Sequence, residues 1–266
     1  MMLRWMFLKS CAEEENFSKS SFFVLSFNDM IIEQIRKCKP ENNRTSKREF
    51  WKQYRAEILS QLSNFKSIDP DLEKYIVSGK FIDYERNHYC RNYFILSSNP
   101  VSECGSCHSN FKTCNECCTF LLKERRYKVL GFFSLSGKTM HVQDDLYSKK
   151  LISRFSRISV HKVDYVETYL VGHLSKNYFN NYNSEISGND ILLRTIQIIK
   201  EANSLVGVNV IRIDCIENEK IIRFYQAHGF KVLHSVFKNK FKNQPFGKFK
   251  KRSAKYPLIM MVRSVR

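Results

Sequence analysis

Residues 218–230 read NEKIIRFYQAHGF and lie in the part of the chain where strand and helix signals alternate most regularly. Residues 208–216, which precede it, alternate apolar and polar side chains and therefore predict a strand. Residues 217–228 predict a helix, because the next residue, Gly229, is the type most often found just past a helix end. Residues 230–236 predict another strand. The stretch is therefore the helix of a strand–helix–strand unit.

The same alternation extends on both sides of this unit. Upstream, residues 167–174 predict a strand, residues 175–190 form a polar loop, and residues 191–202 predict a strongly apolar helix. Downstream, residues 258–262 predict a last strand. Strands alternating with helices in this way predict an α/β chain, with a mixed sheet and helices on its faces.

The N-terminal half shows fewer strands and more helices. Three short apolar runs predict strands, at residues 21–27, 92–96 and 128–135. Apolar side chains at helical spacing predict three helices, at residues 28–39, 50–65 and 69–87.

The 218–230 stretch resembles the signature of the GNAT family of N-acetyltransferases, Asn-x-x-Ala-x-x-Phe-Tyr-x-x-x-Gly-Phe. Every position matches except Ile221, where the family usually has alanine. Two further phrases, GFFSLSGK at 131–138 and YLVGHLSKN at 169–177, are similar to the third and fourth strands of a bacterial and phage-borne branch with a degenerate phosphate loop. The resemblance covers roughly residues 70–236, apart from a stretch after Ser97.

This resemblance implies the GNAT, or acyl-CoA N-acyltransferase, fold. Its sheet is mixed, mostly antiparallel and twisted, and helices flank it. CoA enters where two parallel strands separate, and here those strands would be residues 166–176 and 208–216. The implied reaction is direct transfer of an acetyl group from acetyl-CoA to an amine acceptor, with no covalent enzyme intermediate.

The resemblance also implies roles for two residues. In the family, the motif tyrosine lies near the sulfur of CoA and can protonate the departing thiolate, so Tyr225 is the predicted general acid. Asn218 is predicted to contact the pantetheine arm of CoA. The alternative interpretation is that Tyr225, Phe224 and Phe230 are ordinary core aromatics. Cys215 lies in a strand pattern and is interpreted as a core residue, not a nucleophile.

The polar loop is predicted to hold the pyrophosphate of CoA, because a helix N-terminus offers free N–H groups and the positive end of the helix dipole. The family pattern is Gln/Arg-x-x-Gly-x-Gly/Ala. Gly188 fills its last place, while Asn183 and Ile186 replace the first residue and the first glycine. Ser187 and Asp190 form a capping box, which would also suit a helix without a ligand. The CoA-binding residues implied are Leu174, Ser175, Ser187, Gly188, Asn189 and Asn218.

Two residues of the 167–174 strand are candidates for the general base. They are Glu167 and His173, and both side chains can accept a proton. A single histidine on a strand also suits a structural role, and many GNAT enzymes pass the amine proton through water.

A cysteine-rich stretch, CGSCHSNFKTCNECC at 104–118, interrupts the resemblance. Four of its cysteines follow the spacing Cys-x2-Cys-x6-Cys-x2-Cys: Cys104, Cys107, Cys114 and Cys117. Two such Cys-x2-Cys pairs can arrange four thiolates around one zinc ion, and a four-ligand site is closed and therefore structural. Free thiols and a redox pair are the alternatives. Residues 98–120 are predicted to be an insertion in a GNAT domain spanning 20–266.

The net charge of +18, from 44 basic and 26 acidic residues, is concentrated near the C-terminus, where no carboxylate follows Glu219. Residues 237–256 read FKNKFKNQPFGKFKKRSAKY and are predicted to be a basic loop between the last two strands. Lysine and arginine interleaved with phenylalanine suit RNA, since charge holds phosphates and rings stack on bases. An aminoacyl-tRNA acceptor is one hypothesis. A solvated loop and a general lysine-favouring composition are the alternatives.

The composition supports a packed core, because 43% of the residues are hydrophobic. No run of about 18 apolar residues is present, and the apolar stretch at the N-terminus is short for a secretory signal. A cytoplasmic protein without a membrane partner is therefore expected, with cysteines as thiols or metal ligands. The rival function is a catalytically weak GNAT scaffold that serves as a zinc-bearing nucleic-acid or protein-binding module.

Overall fold

The computed structural model describes residues 22–28, 47–101, 118–122, 125–142, 146–162, 164–235 and 258–265. The chain divides into two compact units. The first takes the described parts of Met1–Asp83, Tyr93–Phe132 and Ser175–Gly188. The second takes those of Tyr84–Asn92, Phe133–Leu174 and Asn189–Arg266.

The N-terminal half contributes four strands and three helices within the described residues. The strands are β1 (Phe22–Ser26), β2 (Arg91–Ser97), β3 (Thr119–Leu122) and β4 (Arg125–His141). The helices are α1 (Lys47–Leu62), α2 (Pro70–Val77) and α3 (Lys80–Arg86). The strands at 21–27, 92–96 and 128–135 and the helix at 50–65 are confirmed. The predicted helix at 28–39 lies almost wholly outside the described residues.

The first unit is built on aromatic packing. β1 pairs antiparallel with β2, β2 neighbours β4, and β3 pairs antiparallel with β4. Phe81 is fully buried, and its ring meets Phe27, Phe94 and Phe132 edge-on at centroid distances of 5.1, 5.5 and 6.4 Å. Rings in such arrangements stabilise a core beyond the area that they bury.

The single helix predicted over 69–87 is wrong, because the structure has two helices there. Asp69 caps α2 by accepting a 2.9 Å hydrogen bond from the Asp71 N–H, but α2 ends at Val77. Gly79 then adopts a left-handed φ of +73° and donates its N–H to the Ile76 carbonyl oxygen. A glycine in this conformation ends a helix, so the chain turns before α3 begins.

The second unit contains the strand–helix–strand region. Its further helices are α4 (Leu146–Ser156), α5 (Gly188–Val206) and α6 (Glu219–Ala227). Its further strands are β5 (Tyr165–Lys176), β6 (Val210–Ile216), β7 (Lys231–Ser235) and β8 (Leu258–Ser264). All of these except α4 lie where the sequence predicts them.

The strand order in this unit is β4-β5-β6-β8-β7. β5 and β6 run parallel, whereas β8 pairs antiparallel with both β6 and β7. β8 therefore inserts between two strands that precede it in sequence. One parallel pair among antiparallel strands, with helices between them in the chain, is the arrangement that the resemblance implied, so the predicted fold class is confirmed.

α4 and β3 were not predicted from the sequence. α4 packs one face on a buried cluster of the second unit, to which Leu151 and Ile152 contribute together with strand residues such as Val166 and Val210. Its apolar positions are at helical spacing, but the helix is short and its opposite face is strongly charged. Within the described residues, no helix is both long and apolar enough to cross a membrane.

We expect Gly79→Ala to destabilise the protein by about 2 kcal/mol, because an alanine at positive φ is strained. The added Cβ would also lie 2.8 Å from the Leu59 Cδ2. Gly207→Ala is the matched control, since Gly207 has a similar φ of +79° but open space around its Cβ position. Urea unfolding should show a smaller loss for the control, about 1 kcal/mol, which is the strain of positive φ alone. Equal losses would contradict a contribution from the Leu59 contact.

Candidate active site

The parallel strands β5 and β6 separate in the middle of their length. Their pairing runs from Thr168↔Val210 to Val171↔Ile213. β6 continues to Ile216 with β8 as its partner on the other side, while β5 continues beyond Val171 without a further register on β6. Backbone N–H and C=O groups facing this opening are available to a ligand. The predicted separation of these two strands is confirmed.

The helix after β6 begins in the way that the motif implied. Asn218 has an extended backbone, and its Oδ1 accepts hydrogen bonds from the N–H groups of Lys220 and Ile221 at 3.0 and 3.4 Å. Its side-chain oxygen therefore caps α6, which leaves the Nδ2 hydrogens for another acceptor. At the other end, Gly229 has a φ of +80°, a conformation that explains the glycine of the motif.

Tyr225 is the buried residue of α6, with 8% of its surface exposed. Its ring contacts Phe224 and Phe230 edge-on, at centroid distances of 5.2 and 5.7 Å. Burial, with the nearby Cys215 as a second and smaller cause, raises the pKa of the Tyr225 hydroxyl to about 12. Tyr225 is therefore protonated at neutral pH and can act as a hydrogen-bond donor. Tyr225 therefore packs in the core, as the alternative interpretation expects, and its role as general acid stays a prediction.

Cys215 lies on the part of β6 beyond the pairing with β5. It is buried, and this burial raises the pKa of its thiol to about 11, with the charge of Asp214 as a second cause. A thiol with a raised pKa is a poor nucleophile, because the thiolate is the reactive form. The interpretation of Cys215 as a core residue is confirmed.

A hydrogen bond links the end of α6 to the start of α5. The His228 Nε2 lies 2.5 Å from the Asn189 Oδ1, and its Nδ1 lies 2.7 Å from the Phe224 carbonyl oxygen. Both partners are acceptors as placed. The donor and acceptor roles of the two ring nitrogens therefore depend on the tautomer of His228 and on which way the Asn189 amide is turned. Asn189, one of the predicted CoA-binding residues, is thus oriented by the helix that carries Tyr225.

The polar loop after β5 is anchored by one buried side chain of the first unit. The Asn177 Oδ1 accepts hydrogen bonds from the Lys66 and Phe179 N–H groups at 3.0 and 3.1 Å. Its Nδ2 donates to the Val129 carbonyl oxygen at 2.8 Å. Asn177 is fully buried, so these bonds replace the water that its amide would otherwise bind. The sequence analysis did not identify this anchor, since an asparagine in a polar loop looks unexceptional.

The predicted phosphate loop, residues 175–190, carries four of the predicted CoA-binding residues: Ser175, Ser187, Gly188 and Asn189. In the first unit, Ser175 shares a 3.0 Å hydrogen bond with the Ser67 hydroxyl. Ser187 directly precedes α5, and Gly188 is its first residue, so the helix starts where the capping box predicts. Ile186, which replaces a family glycine, is buried with 4% exposure, so the fold accommodates its side chain. Leu174 is the last residue of β5 that belongs to the second unit, and it is half-buried.

The two candidate general bases lie at different places on β5. Glu167 accepts a 2.6 Å hydrogen bond from the Thr139 hydroxyl and comes before the segment that pairs with β6. His173 comes after that segment, on the part of β5 that has left β6. Of the two candidates, only His173 therefore lies on the part of β5 that borders the opening.

An ion pair beside the opening was missed by the sequence analysis. Arg212 binds Asp214 through two hydrogen bonds, Nε to Oδ1 at 2.8 Å and Nη2 to Oδ2 at 2.6 Å. Asp214 is the first residue of β6 past the paired segment. Side chains alternate along a strand, so this pair lies on the face opposite to Cys215.

The cysteine-rich and basic segments lie outside the described residues. This applies to Cys104, Cys107, Cys114 and Cys117, and to the loop at 237–256. The described ends of the cysteine-rich segment both attach to β4. Val101 donates its N–H to the Arg126 carbonyl oxygen, and the Val129 N–H donates to the Cys118 carbonyl oxygen. Among the described residues, no group of three or more histidine, cysteine or acidic side chains could hold a metal.

Comparisons with known proteins gave matches among solved structures. No family model and no curated protein matches the chain. The chain is similar to AtaT complexed with acetyl-methionyl-tRNAfMet, with a TM-score of 0.44 and 17% identity, covering 67% of this chain and 84% of that chain. A tyrosine-to-phenylalanine variant of the AtaT toxin, bound to the C-terminus of the antitoxin AtaR and acetyl-CoA, has a TM-score of 0.47 and 12% identity, over 92% and 94%. A tyrosine-to-phenylalanine variant of KacT has a TM-score of 0.45 and 13% identity, over 75% and 85%. These identities are too low to transfer the role of any residue.

We expect Asn177→Ala to destabilise the protein by about 3 kcal/mol, because it leaves two backbone N–H groups and one carbonyl oxygen without their partner. Asn183→Ala is the control. Asn183 belongs to the same loop, but its side-chain amide makes no hydrogen bond within the described residues. Urea unfolding of both variants measures the difference. A similar loss in the two variants would contradict the anchoring role of Asn177.

Proposed function

We propose that the chain is a GNAT-type N-acetyltransferase, which transfers an acetyl group from acetyl-CoA directly to an amine. The observation that carries the proposal is the position of Tyr225. Its side chain is buried on α6, the helix that follows the part of β6 that β5 no longer covers, and its raised pKa keeps the hydroxyl protonated. An opening between parallel strands, with a hydrogen-bond donor beside it, suits a thioester whose sulfur must leave as a thiolate.

The chemistry requires that the amine attack the thioester carbonyl carbon and that the carbon–sulfur bond then break. Tyr225 would donate its O–H to the sulfur as negative charge develops there. A thiol has an ordinary pKa of about 8.5, well below the value of about 12 for Tyr225. Complete proton transfer would therefore be uphill, and we infer that Tyr225 acts chiefly by hydrogen bonding to the thiolate. Solvent can supply the final proton.

The remaining contacts to CoA follow from the resemblance and stay proposals. Asn218 would use its Nδ2 hydrogens, because its oxygen caps α6. Asn189 would contribute an amide whose orientation is set by His228. Leu174, Ser175, Ser187 and Gly188 complete the proposed set, with the N–H groups at the start of α5 directed to phosphate. His173 is the better placed of the two candidate bases.

The acceptor is proposed to be an amine, and aminoacyl-tRNA is one hypothesis for its carrier. Support for RNA comes from the lysine, arginine and phenylalanine residues of 237–256. The rival proposal is a GNAT scaffold with weak activity that binds nucleic acid or protein. The Asn183 and Ile186 replacements in the phosphate loop favour the rival, while the intact tyrosine motif favours the enzyme.

The decisive test is acetyl-CoA binding and turnover in a Tyr225→Phe variant. We expect the wild-type protein to bind acetyl-CoA at micromolar concentration in calorimetry. Tyr225→Phe should reduce the transfer rate about 100-fold, since loss of one hydrogen-bond donor to a developing anion costs in this range, and should leave the Kd for acetyl-CoA nearly unchanged. Tyr89→Phe, at an exposed tyrosine, is the control and should keep full activity.

Two outcomes would overturn parts of this proposal. A wild-type protein that shows no heat with acetyl-CoA, and no competition by desulfo-CoA, is not an acetyltransferase of this type. Binding and transfer that survive unchanged in Tyr225→Phe would assign the donor role to another group, although the enzyme would remain.

A structural zinc ion in the cysteine-rich insertion is a separate proposal. Four thiolates are a donor set that zinc prefers, and a closed four-ligand site contributes to folding and not to catalysis. The segment that carries them leaves from and returns to β4, through Val101 and Cys118. Binding of one zinc by these thiolates would contribute its binding free energy to the folding of the chain.

We expect metal analysis to find about one zinc per chain, because the four thiolates form one tetrahedral site. The double substitution Cys104→Ser and Cys107→Ser should abolish zinc binding and lower the Tm. Cys90→Ser, at a half-buried cysteine elsewhere, is the control. Metal-free protein with four titratable thiols in the segment, after a zinc-replete preparation, would contradict the site.

A further inference from the structure

α4 and the turn after it carry a cluster of exposed cations that the proposed transferase does not use. Four of them form what we call the α4 basic surface: Lys150, Arg154, Arg157 and Lys162. Lys150 and Arg154 are four residues apart on the helix and so lie on one face, about 6 Å apart along its axis. Tyr147 lies on the same side and is 58% exposed. The opposite side of α4 is buried.

The charges of this surface are not compensated within the described residues. Residues 146–162 contain no aspartate or glutamate. Asp164 pairs with Lys149, at 3.4 Å between Nζ and Oδ1, and Lys149 is not one of the four. None of the four makes an ion pair with a described residue. These four cations outnumber the nearest described carboxylates, Asp164 and Glu167, and the remaining positive charge produces a local potential that attracts a polyanion.

Arg157 has a left-handed backbone conformation, which glycine adopts with less steric strain. It follows the last residue of α4 with a φ of +63°, and its N–H donates to the Ser153 carbonyl oxygen at 2.9 Å. Left-handed residues just past a helix end are usually glycine. A strained arginine at such a position points to a role for its side chain, since strain that persists is often associated with function.

A cavity of about 280 Å³ opens next to this arginine. Ser156 and Ile158, the neighbours of Arg157 in the chain, form one side of the cavity, while Tyr165, Glu167 and Asn209 contribute to the rest. The Tyr165 side chain is 62% exposed. An exposed aromatic ring can stack on a base, and carboxylate and amide groups can hydrogen-bond to base edges.

We propose that the α4 basic surface and this cavity together bind single-stranded RNA. The cations hold successive phosphates, and the cavity takes one unpaired base against Tyr165. Cations beside an aromatic cavity suit a single strand better than a duplex, because only a single strand offers base faces together with phosphates.

This binding site is distinct from the proposed reaction centre. Tyr165 and Asn209 lie where β5 and β6 begin, whereas these strands separate beyond Val171 and Ile213. Along β5, the two places are about 20 Å apart. The site would therefore hold the body of an RNA and not its reacting end. It does not depend on acetyl transfer, so binding can be tested without acetyl-CoA.

The test is fluorescence anisotropy of a labelled oligouridine with the full chain across a salt series. The variant removes four cations: Lys150→Ala, Arg154→Ala, Arg157→Gly and Lys162→Ala. The charge-matched control removes four exposed lysines elsewhere: Lys52→Ala, Lys74→Ala, Lys80→Ala and Lys200→Ala. For a single strand, each phosphate contact contributes about 0.7 to the magnitude of the slope of log K against log salt. The slope of the variant should therefore be smaller by about 3, while the slope of the control should hardly change.

Single substitutions separate binding from folding. Arg157→Gly removes strain and a contact together, so its Tm should be unchanged or higher while affinity falls about fivefold at 0.1 M salt. Tyr165→Ala should weaken binding without changing the salt slope, whereas Tyr165→Phe keeps the ring and should bind as the wild type does.

Three results would overturn the proposal. The first is a wild-type protein that does not bind the oligouridine even at low salt. The second is an equal loss of slope in the variant and the charge-matched control, since the effect would then be one of net charge. The third is a variant that keeps RNA binding but loses binding to phosphatidylserine vesicles, which would assign the surface to a lipid membrane. Acetyl transfer in any of these cases would leave the proposed function standing.

Discussion

The structure depends on where the pairing between β5 and β6 stops. Four residue pairs, ending at Val171↔Ile213, hold the two strands together, and β8 then stabilises the rest of β6 from its other side. Because β8 supplies hydrogen bonds along the whole of β6, that strand can lose its parallel neighbour and stay ordered. The opening is therefore a consequence of the strand order, in which the last strand of the chain is inserted beside β6.

The chemistry of Tyr225 follows from this arrangement. α6 starts directly after the unpaired end of β6, capped by Asn218, and it buries one phenol against Phe224 and Phe230. Burial keeps the hydroxyl protonated and also makes it a weak acid. The two effects favour hydrogen bonding over proton release. The nearby Cys215 is held neutral by the same burial, so no competing nucleophile is created.

Several elements were predictable because their signals are local. The 3.6-residue and 2-residue periods identified α1, α5, β5 and β6, and the Ser187–Asp190 capping box located the start of α5. The break at Gly79 was missed, since a glycine within a periodic stretch can also be tolerated in a helix. α4 was missed for another reason. Its exposed face is strongly basic, so few apolar residues remain to show the helical spacing in the sequence.

The strand–helix–strand motif, the capping box of α5 and the glycine turn at Gly229 could be predicted from local sequence, because these features depend on neighbours a few residues apart. Only the tertiary structure decided the contacts between distant segments. It brought Asn189 to His228 and placed Asn177 against Lys66 and Val129. It also joined the end of α4 to the start of β5 and β6 around one cavity. Such contacts depend on strand order and packing, which no local spacing encodes.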